Sequence, residues 1–348
     1  MSELRYDPLR KNWVIIAAQR GRRPGNFQNA ESGSPAAEST LGKTSCPFCP
    51  GNEEMTPPEV MAVRQEGTSP DSSGWSVRVI PNKYPALTTA TPFNPGNRGT
   101  HVSGSGFGLH EVIIETQEHS LEIEDLSVEE LGVLFRVYGR RLEELNSDIR
   151  FKAVVIFKNR GQEAGATLGH SHSQIMALPV IPNLIDDELS SCRDHLDKSG
   201  QCLMCSIIEE EIRDGARVVV EDDRFLVFAP FPSSTPFELF IVPRKHLHDF
   251  SMVEEADLRG LASVFKETLQ RLNAAMDKPP YNLIYHSSPP SGSSKVKSPP
   301  DPVGRYYHWY IQISPKTTKP AGFERGTGIA INPTPPEEAA EVLRNIKI

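Results

Sequence analysis

The sequence predicts an α+β protein made of two similar halves, each with a mainly antiparallel sheet and a helix, related by a pseudo-dyad. Cysteine pairs with Cys-x-x-Cys spacing begin at Cys46 and at Cys202. An apolar run follows each pair and leads to a histidine, His119 in the first half and His246 in the second. A helical pattern and then strand patterns come next in both halves. The same features in the same order indicate an internal duplication.

Helical periodicity follows the apolar run in each half. Ser127-Val-Glu-Glu130 has the capping-box pattern, and apolar residues recur at helical spacing from Leu131 to Leu145. Ser251-Met-Val-Glu254 repeats that pattern before a second apolar stripe from Leu258 to Leu272. We therefore expect one amphipathic helix in each half, each beginning just after the serine of its box.

The strand patterns set the expected boundaries of the two units. Runs of β-branched and aromatic residues predict strands at 151–157 and 281–285. Each half then closes with a polar motif on a predicted strand, His170-Ser-His-Ser-Gln174 in the first and His308-Trp-Tyr-Ile-Gln312 in the second. The predicted units are residues 1–181, which carry the first motif, and residues 182–348, which carry the second.

Composition narrows the classes of protein to consider. The 348 residues carry a formal net charge of −8, which argues against a general nucleic-acid binder. No apolar run approaches the roughly 18 residues that a membrane span needs, and the first residues do not resemble a signal peptide. We therefore expect a cytoplasmic protein whose cysteines are reduced.

Two polar stretches, 28–44 and 287–304, predict surface loops, and the second is a candidate lid over a site.

The cysteine pairs and four histidines predict two metal sites. A two-residue gap lets a tight turn present both thiolates to one tetrahedral ion, and two sulfur and two nitrogen donors favour zinc. Unrelated buried thiols and histidines are the alternative, although recurrence weighs against it. His248 competes with His246, which the repeat spacing favours. Both sites are expected to be structural, with two zinc ions per chain. The predicted ligands are Cys46, Cys49, His119 and His170 in the first half and Cys202, Cys205, His246 and His308 in the second.

The motif at the end of the first half carries the predicted chemistry. Residues two apart on a strand share a face, so His170, His172 and Gln174 line one surface. With His170 tied to the metal, His172 is held near the ion without binding it. A neutral imidazole is a good nucleophile toward phosphorus, and Gln174 can donate a hydrogen bond to a phosphoryl oxygen. The alternative is a strand with three solvent-facing polar residues.

Two further segments favour phosphate binding. Asn159-Arg-Gly161 and Gly165-Ala-Thr-Leu-Gly169 form a glycine-rich turn in which backbone N–H groups can approach a phosphate. Arg20-Gly-Arg-Arg23 places guanidinium groups together near the N-terminus. An ordinary turn and a solvated charge run are the alternatives.

Together these residues resemble the galactose-1-phosphate uridylyltransferase family, the two-repeat branch of the histidine-triad superfamily. The likeness runs from Arg5-Tyr-Asp-Pro8 to Ile331-Asn-Pro333, and the paired Cys-x-x-Cys units with His-x-His-x-Gln are its most specific element. The resemblance implies two histidine-triad-like repeats, His172 as the nucleophile that becomes nucleotidylated, and Cys46, Cys49, His119 and His170 as zinc ligands. It also implies a homodimer.

The resemblance further implies a set of substrate contacts. Phe323 and Glu324 match the segment that approaches the sugar. The residues that match the family's nucleotide contacts are Arg20, Arg23, Asn82, Asn159, Gly165, Ala166, Thr167 and Gln174.

The implied reaction has two steps, with a nucleoside diphosphate sugar as donor and a hexose 1-phosphate as acceptor. UDP-glucose and galactose 1-phosphate are the family's usual pair. Ser171 stands where uridylyltransferases usually have proline, and with the Cys202–Cys205 pair it is more similar to plant-type ADP-glucose phosphorylases, which use phosphate as acceptor. The base and the acceptor therefore stay open.

The sequence disfavours two classes of protein that are not transferases. Acidic charge and widely dispersed ligands argue against a non-catalytic zinc-dependent binding protein. A histidine-triad hydrolase would carry a third motif histidine where this chain has Gln174.

Overall fold

A computed structural model describes residues 2–18, 20, 42–43, 45–290 and 302–348. Its strands are β1 Glu3–Asp7, β2 Asn12–Ile16, β3 Met61–Arg64, β4 Trp75–Pro81, β5 Gly96–Arg98, β6 His101–Ser105, β7 Leu109–Ile114, β8 Ala153–Arg160, β9 His172–Leu178, β10 Val218–Glu221, β11 Phe225–Phe228, β12 Leu239–Pro243, β13 Tyr281–His286 and β14 Tyr310–Pro315. Its helices are α1 Val128–Asn146, α2 Asn183–Ser199, α3 Leu203–Asp214, α4 Glu255–Met276, α5 Gly322–Thr327 and α6 Pro336–Asn345.

One antiparallel sheet of ten strands contains strands from both halves of the chain. Its order is β10-β11-β12-β14-β13-β8-β9-β7-β4-β3, so the order on one side of the β8–β13 pair mirrors that on the other. That central pair is antiparallel, with Tyr281 opposite Arg160 and Tyr285 opposite Ile156. An antiparallel pair has a local two-fold axis, which is where a pseudo-dyad between two repeats would lie. The predicted α+β class is confirmed, but the halves share one sheet.

A smaller sheet is formed near the N-terminus in the order β2-β1-β6-β5. All of its strand pairs are antiparallel, and β1 pairs with β6 from Glu3 opposite Ser105 to Tyr6 opposite Val102. The N-terminal strands are thereby attached to the first half of the chain.

The main core lies between the large sheet and the two long helices. Phe135 of α1 and Phe265 of α4 are both buried and meet edge to face, with ring centroids 5.2 Å apart. Ile113 of β7 and Ile175 of β9 belong to this same core, whereas Val112 and Ile114, on either side of Ile113, pack in a separate cluster. Because side chains alternate along a strand, the sheet has a helix-covered face and an opposite face.

The start of α1 follows the predicted capping box. The Ser127 hydroxyl accepts from the Glu130 backbone N–H at 3.2 Å, and the Glu130 carboxylate accepts from the Ser127 backbone N–H at 2.8 Å. The backbone N–H groups of Ser127 and Glu130, at the N-terminus of the helix, thus have the hydrogen-bond partners that the sequence pattern predicts.

The second predicted capping box, Ser251 to Glu254, is wrong. Helix α4 begins at Glu255 with Glu254 as its N-cap, and Ser251 lies in a 3-10 turn from Phe250 to Met252. The Ser251 N–H donates to Asp249 at 2.8 Å, and the Glu254 carboxylate accepts from Lys245 at 2.6 Å. The Ser251 N–H and the Glu254 carboxylate therefore have partners outside the predicted box.

Among the residues that the structure describes, no helix combines the length and apolar character needed to cross a bilayer.

Candidate active site and metal centres

The four predicted ligands of the first half come together next to the start of β9. The donor atoms of Cys46, Cys49, His119 and His170 all lie within 4.8 Å of one another. Cys49 Sγ is 3.3 Å from His119 Nδ1 and 3.6 Å from His170 Nδ1. A tetrahedral ion with bonds of about 2.0–2.3 Å would hold its donor atoms roughly 3.3–3.8 Å apart. The cluster therefore has the spacing of a four-coordinate metal site.

A second contact sets the protonation of the His170 ring. Its Nε2 lies 2.8 Å from the Thr116 carbonyl oxygen and must donate to it. A neutral imidazole carries one ring hydrogen, so Nδ1 keeps the lone pair that a metal needs.

The second half repeats this arrangement with Cys202, Cys205, His246 and His308, whose donor atoms are also within 4.8 Å of one another. Nε2 of His246 donates to the Gly304 carbonyl at 2.8 Å, and Nε2 of His308 donates to the Pro243 carbonyl at 2.9 Å. Each ring again presents Nδ1 to the cluster.

The competing ligand in the second half lies apart from this cluster. The ring of His248 makes its own contact, from Nδ1 to the Ser288 hydroxyl at 2.8 Å. The structure therefore gathers His246 and not His248, as the repeat spacing predicts.

His172 begins β9 on the sheet face opposite α1, in the pairing Ile114 opposite His172. The side chain is 8% exposed, and its ring meets Phe48 edge to face at 5.3 Å. Its Nδ1 donates to the His170 carbonyl at 2.8 Å. The lone pair of the neutral ring is therefore on Nε2.

The surroundings of His172 keep its ring uncharged. Burial, reinforced by the nearby positive charge of Lys158, lowers the pKa of His172 to about 4. At neutral pH the ring is thus unprotonated and can act as a nucleophile without first losing a proton.

Gln174, the third member of the motif, meets a histidine that the sequence analysis left without a role. Its Oε1 lies 2.8 Å from His110 Nε2, and His110 is itself buried. The predicted contacts Arg20 and Asn82 also lie against this ring, at 3.5 Å from Nδ1 and 3.2 Å from Nε2. The structure therefore brings three of the predicted substrate contacts together around His110.

The glycine-rich turn connects β8 to β9 beside Asn159. Gly165 has a φ of 95°, a left-handed conformation that favours glycine. The N–H groups of Gly165 and Ala166 donate within the turn, to Gln162 and Gly161. These two N–H groups thus hold the turn, which differs from the expectation that they point to a phosphate. Thr167 follows directly.

Asn159 is held by a residue from the other half of the chain. Asn282 Nδ2 donates to Asn159 Oδ1 at 2.8 Å and to the Ala164 carbonyl at 2.9 Å. The β8–β13 pairing places these two asparagines opposite each other. The pairing of the halves therefore fixes one of the predicted nucleotide contacts.

The remaining predicted contacts are Arg23, Phe323 and Glu324. Arg23 lies outside those residues. Phe323 is 55% exposed on α5. The Glu324 carboxylate accepts from the backbone N–H groups of Ala321 and Ile331 at 2.8 and 3.2 Å, and so caps its own helix.

A buried ion pair lies on the helix-covered face directly behind the motif. Lys158 Nζ donates to Glu115 at 2.8 Å, to the Ser171 hydroxyl at 2.9 Å and to the His172 carbonyl at 3.3 Å. The lysine and glutamate side chains are 2% and 0% exposed. Burial would raise the pKa of Glu115, but the Lys158 charge and the hydrogen bonds around the carboxylate outweigh it, so this pKa is lowered.

Two hydroxyl groups complete the environment of that carboxylate. Tyr138 of α1 donates to Glu115 at 2.9 Å and contacts the Ser173 hydroxyl at 2.6 Å. Ser171 and Ser173, which flank His172, therefore both take part in the buried network. Alternation along β8 offers a signal for it, because Val154 and Ile156 face the core and Lys158 falls on the same side.

The chain is similar to known proteins over nearly its whole length. Residues 1–182 match the family model for the N-terminal domain of galactose-1-phosphate uridyl transferase. An ADP-glucose phosphorylase from Arabidopsis thaliana is 35% identical over 99% of this chain and 93% of its own length. A galactose-1-phosphate uridylyltransferase from Thermotoga maritima is 28% identical over 100% of this chain and 99% of its own length.

Solved structures give the same result. The Arabidopsis ADP-glucose phosphorylase with bound ADP-glucose matches with a TM-score of 0.75 and 32% identity, over 100% of both chains. A uridylyltransferase structure matches with a TM-score of 0.77 and 26% identity, over 98% of this chain and 97% of that one. The prediction of an enzyme is confirmed, and the chain belongs to the galactose-1-phosphate uridyl transferase family.

Proposed function

We propose that this protein transfers a nucleoside monophosphate from a nucleoside diphosphate sugar to a hexose 1-phosphate, through a covalent intermediate on His172. The corresponding activity is that of a UDP-glucose–hexose-1-phosphate uridylyltransferase of galactose metabolism. The observation that carries the proposal is the hydrogen bond from His172 Nδ1 to the His170 carbonyl. It leaves Nε2 of an uncharged ring as the reacting atom.

In the first step, His172 Nε2 attacks the α-phosphorus of the nucleoside diphosphate sugar. The new N–P bond forms as the bond between that phosphorus and the bridging oxygen breaks, and the sugar 1-phosphate leaves with the electron pair. In the second step, a phosphate oxygen of the acceptor attacks the same phosphorus and the N–P bond breaks. The imidazole returns to its neutral form, and no step needs a general base at His172.

Gln174 and the residues around it would stabilise and position the phosphoryl group. The Gln174 amide can donate to a non-bridging oxygen as negative charge builds up on it. Arg20 and Asn82, which contact the His110 ring, and Asn159, beside the glycine-rich turn, are further predicted contacts. Thr167, Gly165 and Ala166 would line the phosphate side through the shape of their turn.

We infer that both cysteine–histidine clusters hold zinc, one ion each. Two thiolates, two imidazole Nδ1 atoms and second contacts that fix the ring tautomers suit tetrahedral zinc. Cys46, Cys49, His119 and His170 would hold the first ion, and the second-half cluster the other. The bound ion supplies structural cross-linking, which for the first site includes the strand that carries His172.

An ADP-glucose phosphorylase is the second candidate. Here the donor is ADP-glucose, and the acceptor oxygen belongs to inorganic phosphate. The 35% identical relative carries that name. In addition, Ser171 uses its hydroxyl in the buried network, donating to Glu115 at 2.6 Å, a contact that a proline at this position could not make. The two candidates share the same intermediate chemistry and differ in base and acceptor.

Covalent labelling tests the proposal and separates the candidates. The zinc-loaded protein is incubated with UDP-glucose or ADP-glucose labelled at the α-phosphorus, and the acid-labile, base-stable label on protein is counted. We expect label from one donor, and its release by galactose 1-phosphate for the first candidate or by phosphate for the second. His172→Gly should abolish labelling while the zinc content stays at the wild-type value. Equal labelling of that variant would overturn the assignment.

We also propose the organisation in which this chemistry takes place. The units 1–181 and 182–348 are the two repeats, supported by the mirrored strand order about β8–β13. The functional form is a cytoplasmic homodimer, and Phe323 and Glu324 approach the sugar of the substrate. Size-exclusion chromatography with light scattering tests the dimer, and kinetics of Phe323→Ala with varied sugar donors test the sugar contact.

A further inference from the structure

We propose that His110 is a positioning residue, which holds the Gln174 amide with its NH₂ group toward the transferred phosphoryl group. This inference rests on the proposed function, because it concerns the side chain that donates a hydrogen bond to the transferred phosphoryl group. The ring and the amide lie on neighbouring strands, β7 and β9, on the same sheet face as His172.

The tautomer of His110 is fixed by its surroundings. The Ala86 backbone N–H, which can only donate, lies 3.1 Å from His110 Nδ1. A second donor, Arg20 Nη1, lies 3.5 Å from the same nitrogen. Nδ1 must therefore carry the lone pair, and the single ring hydrogen of the neutral imidazole is on Nε2.

The hydrogen on Nε2 determines which way the Gln174 amide points. Within the described part of the chain, Gln174 Oε1 lies 2.8 Å from Nε2 and Asn82 Nδ2 lies 3.2 Å from it. The Asn82 amide cannot turn over, because its Oδ1 already accepts from the Tyr84 N–H at 2.9 Å. Of the two neighbours only Gln174 Oε1 is an acceptor, so Nε2–H donates to it. The two hydrogens of the Gln174 amide are then left for the substrate side.

The second half of the molecule shows the opposite arrangement at the corresponding place. In the first half, Gln174 pairs with Val112, and His110 lies two residues before Val112. In the second half, Gln312 pairs with Phe240, and Glu238 lies two residues before Phe240. Glu238 therefore corresponds to His110. There Gln312 Nε2 donates to the Glu238 carboxylate, while Gln312 Oε1 accepts from His286 Nε2 at 2.9 Å.

A carboxylate at this position therefore engages the NH₂ group of the glutamine, whereas the imidazole N–H at His110 leaves it available. The half with the nucleophile has the imidazole. In the second half, Tyr310 stands in the place of the nucleophile His172, and Glu238 supplies the carboxylate.

An amide turned the other way would slow the chemical step. Its carbonyl oxygen would face the non-bridging oxygens of the α-phosphate, and like partial charges would repel as negative charge builds up there. Binding of base and sugar would change less, because other residues make those contacts. A His110 defect is thus expected in the rate of adduct formation more than in the half-saturating donor concentration.

Three substitutions of His110 distinguish its effect on the orientation of the Gln174 amide from its hydrogen bond with the Ala86 backbone. In His110→Gln, a side-chain N–H can occupy the place of Nε2–H, but the acceptor for Ala86 is lost. In His110→Asn, an oxygen can occupy the place of Nδ1 and accept from Ala86, but the donor to Gln174 is lost. His110→Glu copies the second half and should reverse the amide.

The measurement is the single-turnover rate of protein labelling by the donor that labels wild type, with zinc content and melting temperature as folding checks. We expect His110→Asn to be slower than wild type by about tenfold, the scale of one lost hydrogen bond. His110→Gln should be faster than His110→Asn, and His110→Glu the slowest of the three. In a Gln174→Ala background, His110→Asn should add less than twofold.

The outcomes distinguish this inference from the proposed function. If wild type takes up no label from either donor, the proposed function fails. If wild type is labelled and His110→Asn and His110→Glu match it, the positioning role is wrong. It is also wrong if His110→Asn is faster than His110→Gln, because the ring would then serve mainly to accept the hydrogen bond from the Ala86 N–H. Full additivity with Gln174→Ala would likewise overturn it.

Discussion

Replacing Lys158 by methionine should destabilise the protein strongly, because the Glu115 carboxylate would stay buried without its counter-ion. The two side chains are 2% and 0% exposed and 2.8 Å apart. Removing one partner of a buried ion pair costs about 3–5 kcal/mol. At roughly 2 °C per kcal/mol for a large domain, the melting temperature should fall by roughly 6–10 °C.

The loss should depend on pH in a definite direction. In wild type the pKa of Glu115 is lowered, because the Lys158 charge and hydrogen bonds outweigh burial, so its stabilisation is present at neutral pH and is lost as pH falls through that lowered pKa. Without Lys158, burial dominates and the folded-state pKa rises above the unfolded value. The variant is then stabilised by protonation of Glu115, so the difference from wild type should be smaller at pH 5 than at pH 8.

Differential scanning calorimetry of the zinc-loaded proteins at both pH values provides the measurement. Lys245→Met is the matched control, because Lys245 and Glu254 form an ion pair whose side chains are 61% and 62% exposed. That control should leave the melting temperature nearly unchanged. The double variant Glu115→Gln with Lys158→Met should recover part of the loss. A single Lys158→Met variant as stable as wild type at pH 8 would refute the reasoning.

Three further predictions concern the metal, the nucleotide contact and the nucleophile. Cys46→Ser should reduce bound zinc from two equivalents to one, measured by atomic emission, whereas Cys192→Ser, at a buried cysteine outside both clusters, should keep two. Asn282→Ala should slow labelling by roughly three- to tenfold without changing zinc content, because Asn159 loses its 2.8 Å partner; an unchanged rate would contradict this contact's role. The labelling rate should be flat from pH 8 to pH 5.5 and fall only as pH approaches the lowered pKa of His172, about 4; a fall centred near 6.5 would contradict the effect of burial and Lys158.

The features that the sequence predicted well are those fixed by local spacing. Cys46 and Cys49 are separated by a turn, and His172 and Gln174 alternate along β9, so the relative placement within each pair follows from backbone geometry alone. His170 lies two residues before β9 and not on the strand that the sequence predicts for it. The capping box at Ser127 formed for the same reason, since both of its hydrogen bonds lie within one turn.

What the sequence did not predict depends on contacts with residues outside the local pattern. In the second predicted box, the Ser251 N–H donates to Asp249 and the Glu254 carboxylate accepts from Lys245. Neither Asp249 nor Lys245 belongs to the four-residue pattern from which the box was predicted. The sheet shared by both halves depends on the β8–β13 pairing, and strand pairing at a distance has no local signal.

The same limit explains the missed residues of the candidate site. His110 looks like an isolated histidine until β7 and β9 pair and bring it to Gln174. Lys158 was detectable in principle, since a lysine at a core-facing position of a strand needs a buried partner. Its partner Glu115 could not be chosen from sequence, because the pairing requires the packed sheet.

The most direct test of the account is to find which atom carries the nucleotide. Wild-type protein is quenched after a single turnover with the labelling donor, digested at alkaline pH, and mapped by tandem mass spectrometry. The account predicts one nucleotidyl group per chain, on the peptide that contains His172 and on that residue. A nucleotide on any other side chain, or turnover without a covalent adduct, would contradict it.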